Sequence, residues 1–224
     1  MLKVTIGLPL YQENQLCKGT AESLNKVLQY NKDPGRKFET VLNRAVGTSS
    51  LFGRNYCAST IFGTQNHSER TWQKLTYDYY LSIDGDMMFS LNSIMRLIDK
   101  FEQLKTEGKN PGVIGGAYGS RSILYPNKIM AGKFTIPGRT PEHLWIDYDE
   151  WNCIECDWCG TGFMLIDKSV FETLPYPWFR APAVTDGDIS TLITEDYSIC
   201  MDVKVKLNKS IWIDCTNRIY HLPH

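Results

Sequence analysis

The feature that most constrains this chain is a strict alternation, through its first half, of short apolar strands with segments of helical period. Lys3 to Pro9 (KVTIGLP) reads as a buried strand ending at a proline, and Ala21, Leu24, Val27 and Leu28 then recur at helical spacing. Phe38 to Leu42 alternates like a second strand, and Gly53 to Gln65 (GRNYCASTIFGTQ) reads as a helix with Tyr56, Ile61 and Phe62 available for burial. Tyr77 to Ile83 (YDYYLSI) is β-rich. Behind it, Ser90 can cap a helix whose face carries Leu91, Ile94, Leu97, Ile98, Phe101 and Leu104, with Gly108 past its end. Gly112 to Ala117 (GVIGGA) is a further strand. This order predicts an α/β, Rossmann-like domain with a mostly parallel central sheet flanked by helices.

From Tyr118 to about Trp158 the pattern breaks into prolines, glycines and isolated aromatics, which reads as a long irregular functional surface. Order returns with Phe163 to Asp167 (FMLID), a helix around Glu195 to Met201, and the alternating run SIWIDCTNRIYHL. With 224 residues and no repeat or linker, residues 1–224 are expected to form one domain.

Composition excludes some classes. Lys+Arg 24 against Asp+Glu 25 gives a net charge of −1, so a strongly basic nucleic-acid wrapper is not indicated. Pro9 cuts the N-terminal apolar run below a signal-peptide core, and nowhere do about 18 apolar residues run together. Seven cysteines, an odd number, favour reduced thiols and a cytoplasmic setting. Cys153, Cys156 and Cys159 are spaced C-x2-C-x2-C, which invites a zinc or iron–sulfur reading, but a fourth ligand must come from elsewhere, and free thiols are expected.

Chemistry concentrates at Asp84-Gly85-Asp86, two carboxylates one residue apart at a strand end. Such a pair suits Mg²⁺ or Mn²⁺, which take one or two carboxylates with phosphate oxygens and water. Ligands of open α/β sheets bind off those strand ends. Solvated aspartates in an ordinary turn are the plainer alternative.

Four segments in order then carry a resemblance. VTIGLPLYQ, YYLSIDGDMMFS, DWCGTGFMLIDKSVF and ITEDYSICMDVKVKLNKSIWIDCTNRIYHL together resemble glycosyltransferases of the GT-A fold, in particular short family 2-like and viral enzymes. The resemblance implies a single GT-A domain with a nucleotide-binding half at 1–117 and an acceptor-binding half at 118–224. It implies a UDP- or GDP-sugar donor contacted by Pro9, Leu10, Tyr11, Arg54, Asp84 and Gly85. It implies Mn²⁺ or Mg²⁺ at Asp86 and His221, with Asp84 reaching the ion or the ribose, and transfer to an acceptor hydroxyl with inversion. Asp196 is the expected general base and Glu195 its reserve, since neighbours on a helix point about 100° apart and do not face one atom. Asp157, Trp158, Gly160, Thr161 and Gly162 are expected at the sugar or acceptor, with Trp158 stacking on a sugar face and the glycines forming a pocket floor. The acceptor is expected to be a glycan, a protein or a hydroxymethylated base of viral DNA, for which GSRSILYPNKIMAGKF supplies local basic groups beside aromatics. A nucleotidyltransferase, another nucleotide-sugar enzyme or a non-catalytic binding module are the alternatives. The first of these would normally show a glycine-rich, basic phosphate loop, which GLPLYQEN lacks.

Overall fold

A computed structural model describes residues 1–12, 15–59, 75–120, 128–134, 143–147, 150–186 and 189–222. Strand β1 (Leu2–Leu10) leads through helix α1 (Lys18–Tyr30) to β2 (Phe38–Val46), and helix α2 (Ser50–Ala58) follows. Then come β3 (Tyr79–Ile83), the short β4 (Met87–Met88), helix α3 (Leu91–Thr106) and β5 (Pro111–Ala117). The second half carries β6 (Lys128–Phe134), β7 (His143–Asp147), β8 (Cys153–Cys156), β9 (Trp158–Cys159) and β10 (Phe163–Asp167). Helix α4 (Lys168–Thr173), the hairpin β11 (Ala183–Asp186) and β12 (Ile189–Leu192), and helix α5 (Glu195–Met201) come next. A π-helical turn over Asp202–Lys206, then β13 (Ser210–Arg218) and β14 (Tyr220–His221), end the described chain.

Seven strands form the central sheet in the order β2-β1-β3-β10-β5-β13-β8. β2, β1, β3, β5 and β13 run one way, while β10 and β8 run against them. The expected α/β, mostly parallel sheet flanked by helices is therefore the observed fold. β3 and β5 are buried throughout, as near-continuous apolar strands covered on both faces must be. Alternation sorts their side chains: Tyr79, Leu81 and Ile83 join the core under α1 and α3, and Tyr80 joins the core under α2, α4 and α5. Pro9 continues β1 rather than ending it. Pairing with β3 stops at Gly7, so Pro9 lies where only β2 is alongside, a position a central-strand proline tolerates.

Helix α3 forms as its sequence dictates. The Ser90 hydroxyl accepts the Ser93 amide at 3.1 Å and the Ser93 hydroxyl accepts the Ser90 amide at 3.3 Å, a reciprocal cap. Ile94, Leu97, Ile98, Phe101 and Leu104 are all buried, and Gly108 turns the chain with φ of 71°. Helix α2 starts earlier than its sequence pattern indicated and is described only to Ala58. Ile61, Phe62 and the other residues of that expected helix from 60 on lie outside the described residues, and α2 buries Arg54 and Asn55 along with Gly53, Cys57 and Ala58.

The stretch from Tyr118 to Trp158 is the main correction. It contains β6, β7, β8 and β9, with β7-β6-β9 forming a small antiparallel sheet. The β6–β7 register shifts between Lys128 and Gly132, which breaks the two-residue period that would have marked these strands.

Candidate functional site

β1 has its two parallel neighbours on opposite sides: the chain goes from β1 to β2 on one side and then crosses to β3 on the other, so the direction of strand order reverses at β1. The crevice off the carboxyl ends of β1 and β3 is the expected ligand position in such a sheet. Asp84-Gly85-Asp86 turns there and is pinned from three distant segments. The Asp84 amide donates to the Gly162 carbonyl at 3.0 Å, the Gly85 carbonyl accepts from Cys17 N at 2.8 Å, and the Asp86 carbonyl accepts from Leu222 N at 2.8 Å. Two clefts open beside it. The first, about 280 Å³, is lined by Pro9, Leu10, Tyr11, Gln15, Thr48, Ser50, Gly85 and Asp86 together with Arg54, Asp84 and Glu195. The second, about 450 Å³, shares those last three residues and adds Met87, Tyr118, Ser120, Met130, Thr161, Thr194, Asp196 and His221.

The shared wall is an ion triad. Arg54, only 3% exposed, places one terminal nitrogen on Asp84 Oδ1 and the other on Glu195 Oε1 at 3.0 Å, where Ser50 also donates at 3.2 Å. Burial works against the guanidinium charge, but Asp84 and Glu195 outweigh it and the Arg54 pKa is raised. For Asp84, burial pushes the carboxyl up, Arg54 pulls it back, and the charges of Asp86 and Glu195 push it up again. Arg54, Asp84 and Glu195 come from α2, the end of β3 and the first turn of α5, so one cation ties three elements at the seam between the clefts. Arg54, expected to offer its charge to a diphosphate, lines both clefts with two carboxylates already paired to it.

Asp86 and His221 meet on the other side of Gly85. β14 pairs with β4, setting His221 opposite Met87, and brings Nε2 of His221 to 3.6 Å from Asp86 Oδ2. Nδ1 of His221 lies 3.3 Å from the Gly119 carbonyl, which can only accept, so Nδ1 carries the proton. In the neutral ring Nε2 then turns a lone pair toward the carboxylate. Facing lone pairs favour a cation such as a metal ion between them. Carboxylate oxygen with imidazole nitrogen is a donor set that fits Mn²⁺. Among the described residues no three His, Cys, Asp or Glu side chains form a group that could hold a metal unaided. Asp84, expected to reach the ion, is turned to Arg54 instead.

Asp196 stands apart from Glu195. Its Oδ1 accepts the Thr194 hydroxyl and the Tyr197 amide, the latter at 2.9 Å. Burial pushes its pKa up to about 6, the Thr194 hydrogen bond opposes that, and the Glu195 charge adds to it. Of the two carboxylates opening α5, Glu195 is committed to Arg54 while Asp196 lines the second cleft near neutral pKa.

Gly160-Thr161-Gly162 borders the second cleft through Thr161. Its glycines have a different reason from the one the sequence offered: they make room for Tyr118. A Cβ on Gly160 would overlap the Tyr118 hydroxyl, and one on Gly162 would stand 2.8 Å from it. Tyr118 follows the carboxyl end of β5, the same position relative to its strand that singled out Asp84, and that signal could have found it.

Two expectations are corrected. Trp158 does not offer a face to a sugar: it is 1% exposed and stacks on Tyr197 at 4.5 Å, inside the core under α5. Asp157 lines neither cleft and pairs with Lys204 of the π-helical turn. The C-x2-C-x2-C thiols lie on β8 and β9, and Cys156 and Cys159 are buried in the same core. Among the described residues no helix is long and apolar enough to cross a membrane.

No protein-family profile matches the chain, and no curated protein matches it. Among solved structures, one titled "Crystal structure of GalNAc-T7 with UDP, GalNAc and Mn2+" aligns with all of this chain over 44% of its own, with a TM-score of 0.49 and 11% identity. A197 from STIV aligns with 100% of this chain and 87% of its own length, at 16% identity and a TM-score of 0.61. The chain thus shares its fold with A197.

Proposed function

We propose that the chain is a metal-dependent glycosyltransferase of the GT-A type that moves a sugar from a UDP- or GDP-sugar to an acceptor hydroxyl with inversion. The observation that carries this reading is the Asp86–His221 pair, because Asp86 opens on the first cleft and His221 on the second. A donor lying across the seam puts its nucleotide in the first cleft, by Pro9, Leu10 and Tyr11, and its sugar in the second. The bond to be broken then lies at the pair. A divalent ion held by Asp86 and His221 would neutralise the charge gathering on the departing diphosphate.

The rest of the chemistry falls to the chain's own groups. The acceptor oxygen attacks the anomeric carbon, the bond from that carbon to the diphosphate oxygen breaks, and its electron pair leaves with the nucleoside diphosphate. The acceptor proton passes to Asp196, whose pKa of about 6 leaves it ionised yet basic enough at neutral pH. Glu195, held by Arg54, fixes the first turn of α5 and with it Asp196. Two strand-end clefts that share one wall favour this over the nucleotidyltransferase alternative. The acceptor is a glycan, a protein or a hydroxymethylated base, and screening these classes against labelled nucleotide sugars separates them. Glu195 serves the first cleft, and Arg54, Asp84 and Met87 serve the second, so the division at residue 117 does not separate the donor and acceptor clefts.

The test is calorimetric titration of UDP and GDP with and without Mn²⁺. Asp86→Ala abolishes the Mn²⁺-dependent part of nucleotide binding and all transfer, while Glu107→Ala, an exposed carboxylate just past α3, changes neither. Mn²⁺-stimulated binding that survives Asp86→Ala intact sinks the metal assignment.

A further inference from the structure

Tyr118 is a large polar side chain at the second cleft with a hydrogen-bonding group still to assign. Its ring is 4% exposed, packs edge-on against His221 at 5.5 Å, and lines the second cleft. Its hydroxyl oxygen accepts the Gly162 amide at 3.0 Å. A phenol has one proton to give, and among the described residues nothing accepts it. A ligand that supplies the acceptor therefore gains a hydrogen bond that the protein alone does not make. Burial, and next the negative charge of Asp84, raise the phenol pKa well above its usual value, so the group is a donor at every physiological pH. The Gly162 bond occupies one side of the oxygen, and Gly160 and Gly162 leave no Cβ to cover it.

We infer that Tyr118 contacts substrate: its hydroxyl donates a hydrogen bond to an oxygen of the sugar in the second cleft and so selects among donor sugars. The inference rests on the glycosyltransferase reading above. A pyranose suits the position, since its hydroxyl and ring oxygens accept hydrogen bonds and its apolar C–H face can lie on Met87 and Met130, which line the same cleft.

The test compares free UDP and GDP with UDP-glucose, UDP-galactose and GDP-mannose, titrated in Mn²⁺ against the parent and Tyr118→Phe. The variant keeps the ring against His221. Tyr118→Phe is expected to bind free UDP or GDP as the parent does and to lose roughly 3–10-fold on the nucleotide sugar the parent holds best, the scale of one net hydrogen bond. A monodeoxy analogue of that sugar lacking the contacted hydroxyl costs the parent the same factor and costs the variant nothing. If the variant binds every ligand as the parent does, the inference is overturned and the glycosyltransferase reading stands. If it weakens nucleotides and nucleotide sugars alike, Tyr118 only buttresses His221 and the glycine turn, and the inference is again overturned. A parent that binds none of the five ligands overturns both readings. Should Tyr118→Phe not fold, 3-fluorotyrosine at position 118 keeps the bond to Gly162 while altering the acidity of the phenol. It must shift affinity for the nucleotide sugar and leave that for free nucleotide unchanged; no shift overturns the inference.

Discussion

The two clefts are built by different means. Apart from Glu195, the first is lined by residues at or just past the carboxyl ends of β1, β2 and β3: Pro9, Leu10, Tyr11 and Gln15; Thr48 with Ser50 and Arg54 of α2; and Asp84 to Asp86. The second is assembled from isolated positions that the antiparallel additions bring in. These are Tyr118 and Ser120 after β5, Met130 on β6, Thr161 before β10, Asp196 on α5 and His221 on β14. A parallel sheet fixes where its turns converge, so the first cleft is a consequence of topology. The second depends on how β10 slots between β3 and β5 and on how two residues of β14 pair with β4.

Arg54 is the strongest means of breaking that distinction, because both clefts depend on it. Replacing it with methionine fills similar space but leaves Asp84 and Glu195 facing each other half-buried without a cation. Removing one member of a buried ion group costs about 3–5 kcal/mol. Arg54→Met is therefore expected to lower the free energy of unfolding by that amount, read as a lowered denaturation midpoint, and to abolish function on both sides of the seam. Arg54→Met with Asp84→Asn and Glu195→Gln removes the orphaned charges and recovers most of the stability. Recovery of stability without transfer would mark the triad as part of the chemistry as well as of the scaffold, whereas an unshifted midpoint in the single variant contradicts the ion triad.

The same division explains what the sequence made legible. The parallel strands, α3 and its serine cap, and the Asp84-Gly85-Asp86 turn declare themselves because each is encoded by neighbouring residues: an apolar run, a helical stripe, a capping pair. Trp158 was misplaced because an aromatic beside Gly160 looks the same whether its ring faces a ligand or Tyr197, and its burial is decided by α5, far along the chain. The same holds for Asp157, whose partner Lys204 also lies far along the chain. The strands between 118 and 158 were missed because β6 changes register midway and β9 has two residues, so neither shows a sustained period. Tyr118 stands at a strand end as Asp84 does, which the sequence shows, but its bond to Gly162 is supplied only by the fold.

Asp196 sharpens the comparison from the second cleft alone. Asp196→Asn keeps the hydrogen bonds to Thr194 and Tyr197 and removes only basicity. It is expected to lower kcat by about 10²–10⁴-fold with little change in donor KM. The parent rate should rise with pH through about 6, as Asp196 ionises, and level off above; the variant should lack that inflection. Stability moves the opposite way. The folded Asp196 holds its proton more tightly than the unfolded chain does, so the parent loses stability as pH climbs from about 4 through 6 and stays lower above. At pH 7 Asp196→Asn is thus expected to be more stable than the parent by about 1–3 kcal/mol, and the difference closes near pH 4. Anomeric configuration by NMR completes the test, since a retained anomer removes the role of Asp196 as the inverting base.

The smallest effect separates core from cleft at Trp158. Its ring is covered by Tyr197 at an interplanar angle of 22°, so exchanging it for phenylalanine removes packed surface from the core and touches neither cleft. The lost volume is partly recovered by the remaining ring, which places the cost of Trp158→Phe near 1–2 kcal/mol, below the full truncation of a buried aromatic. Nucleotide and nucleotide-sugar affinities should match the parent at any temperature where both are folded. The control is Tyr118→Phe, which removes a single oxygen and should do the reverse, sparing most of the stability while changing sugar affinity. Both residues are buried aromatics, and of the two only Tyr118 lines the second cleft. Were Trp158→Phe to change sugar affinity at equal stability, the core would reach into the second cleft and the boundary between the two would have to be moved to β9.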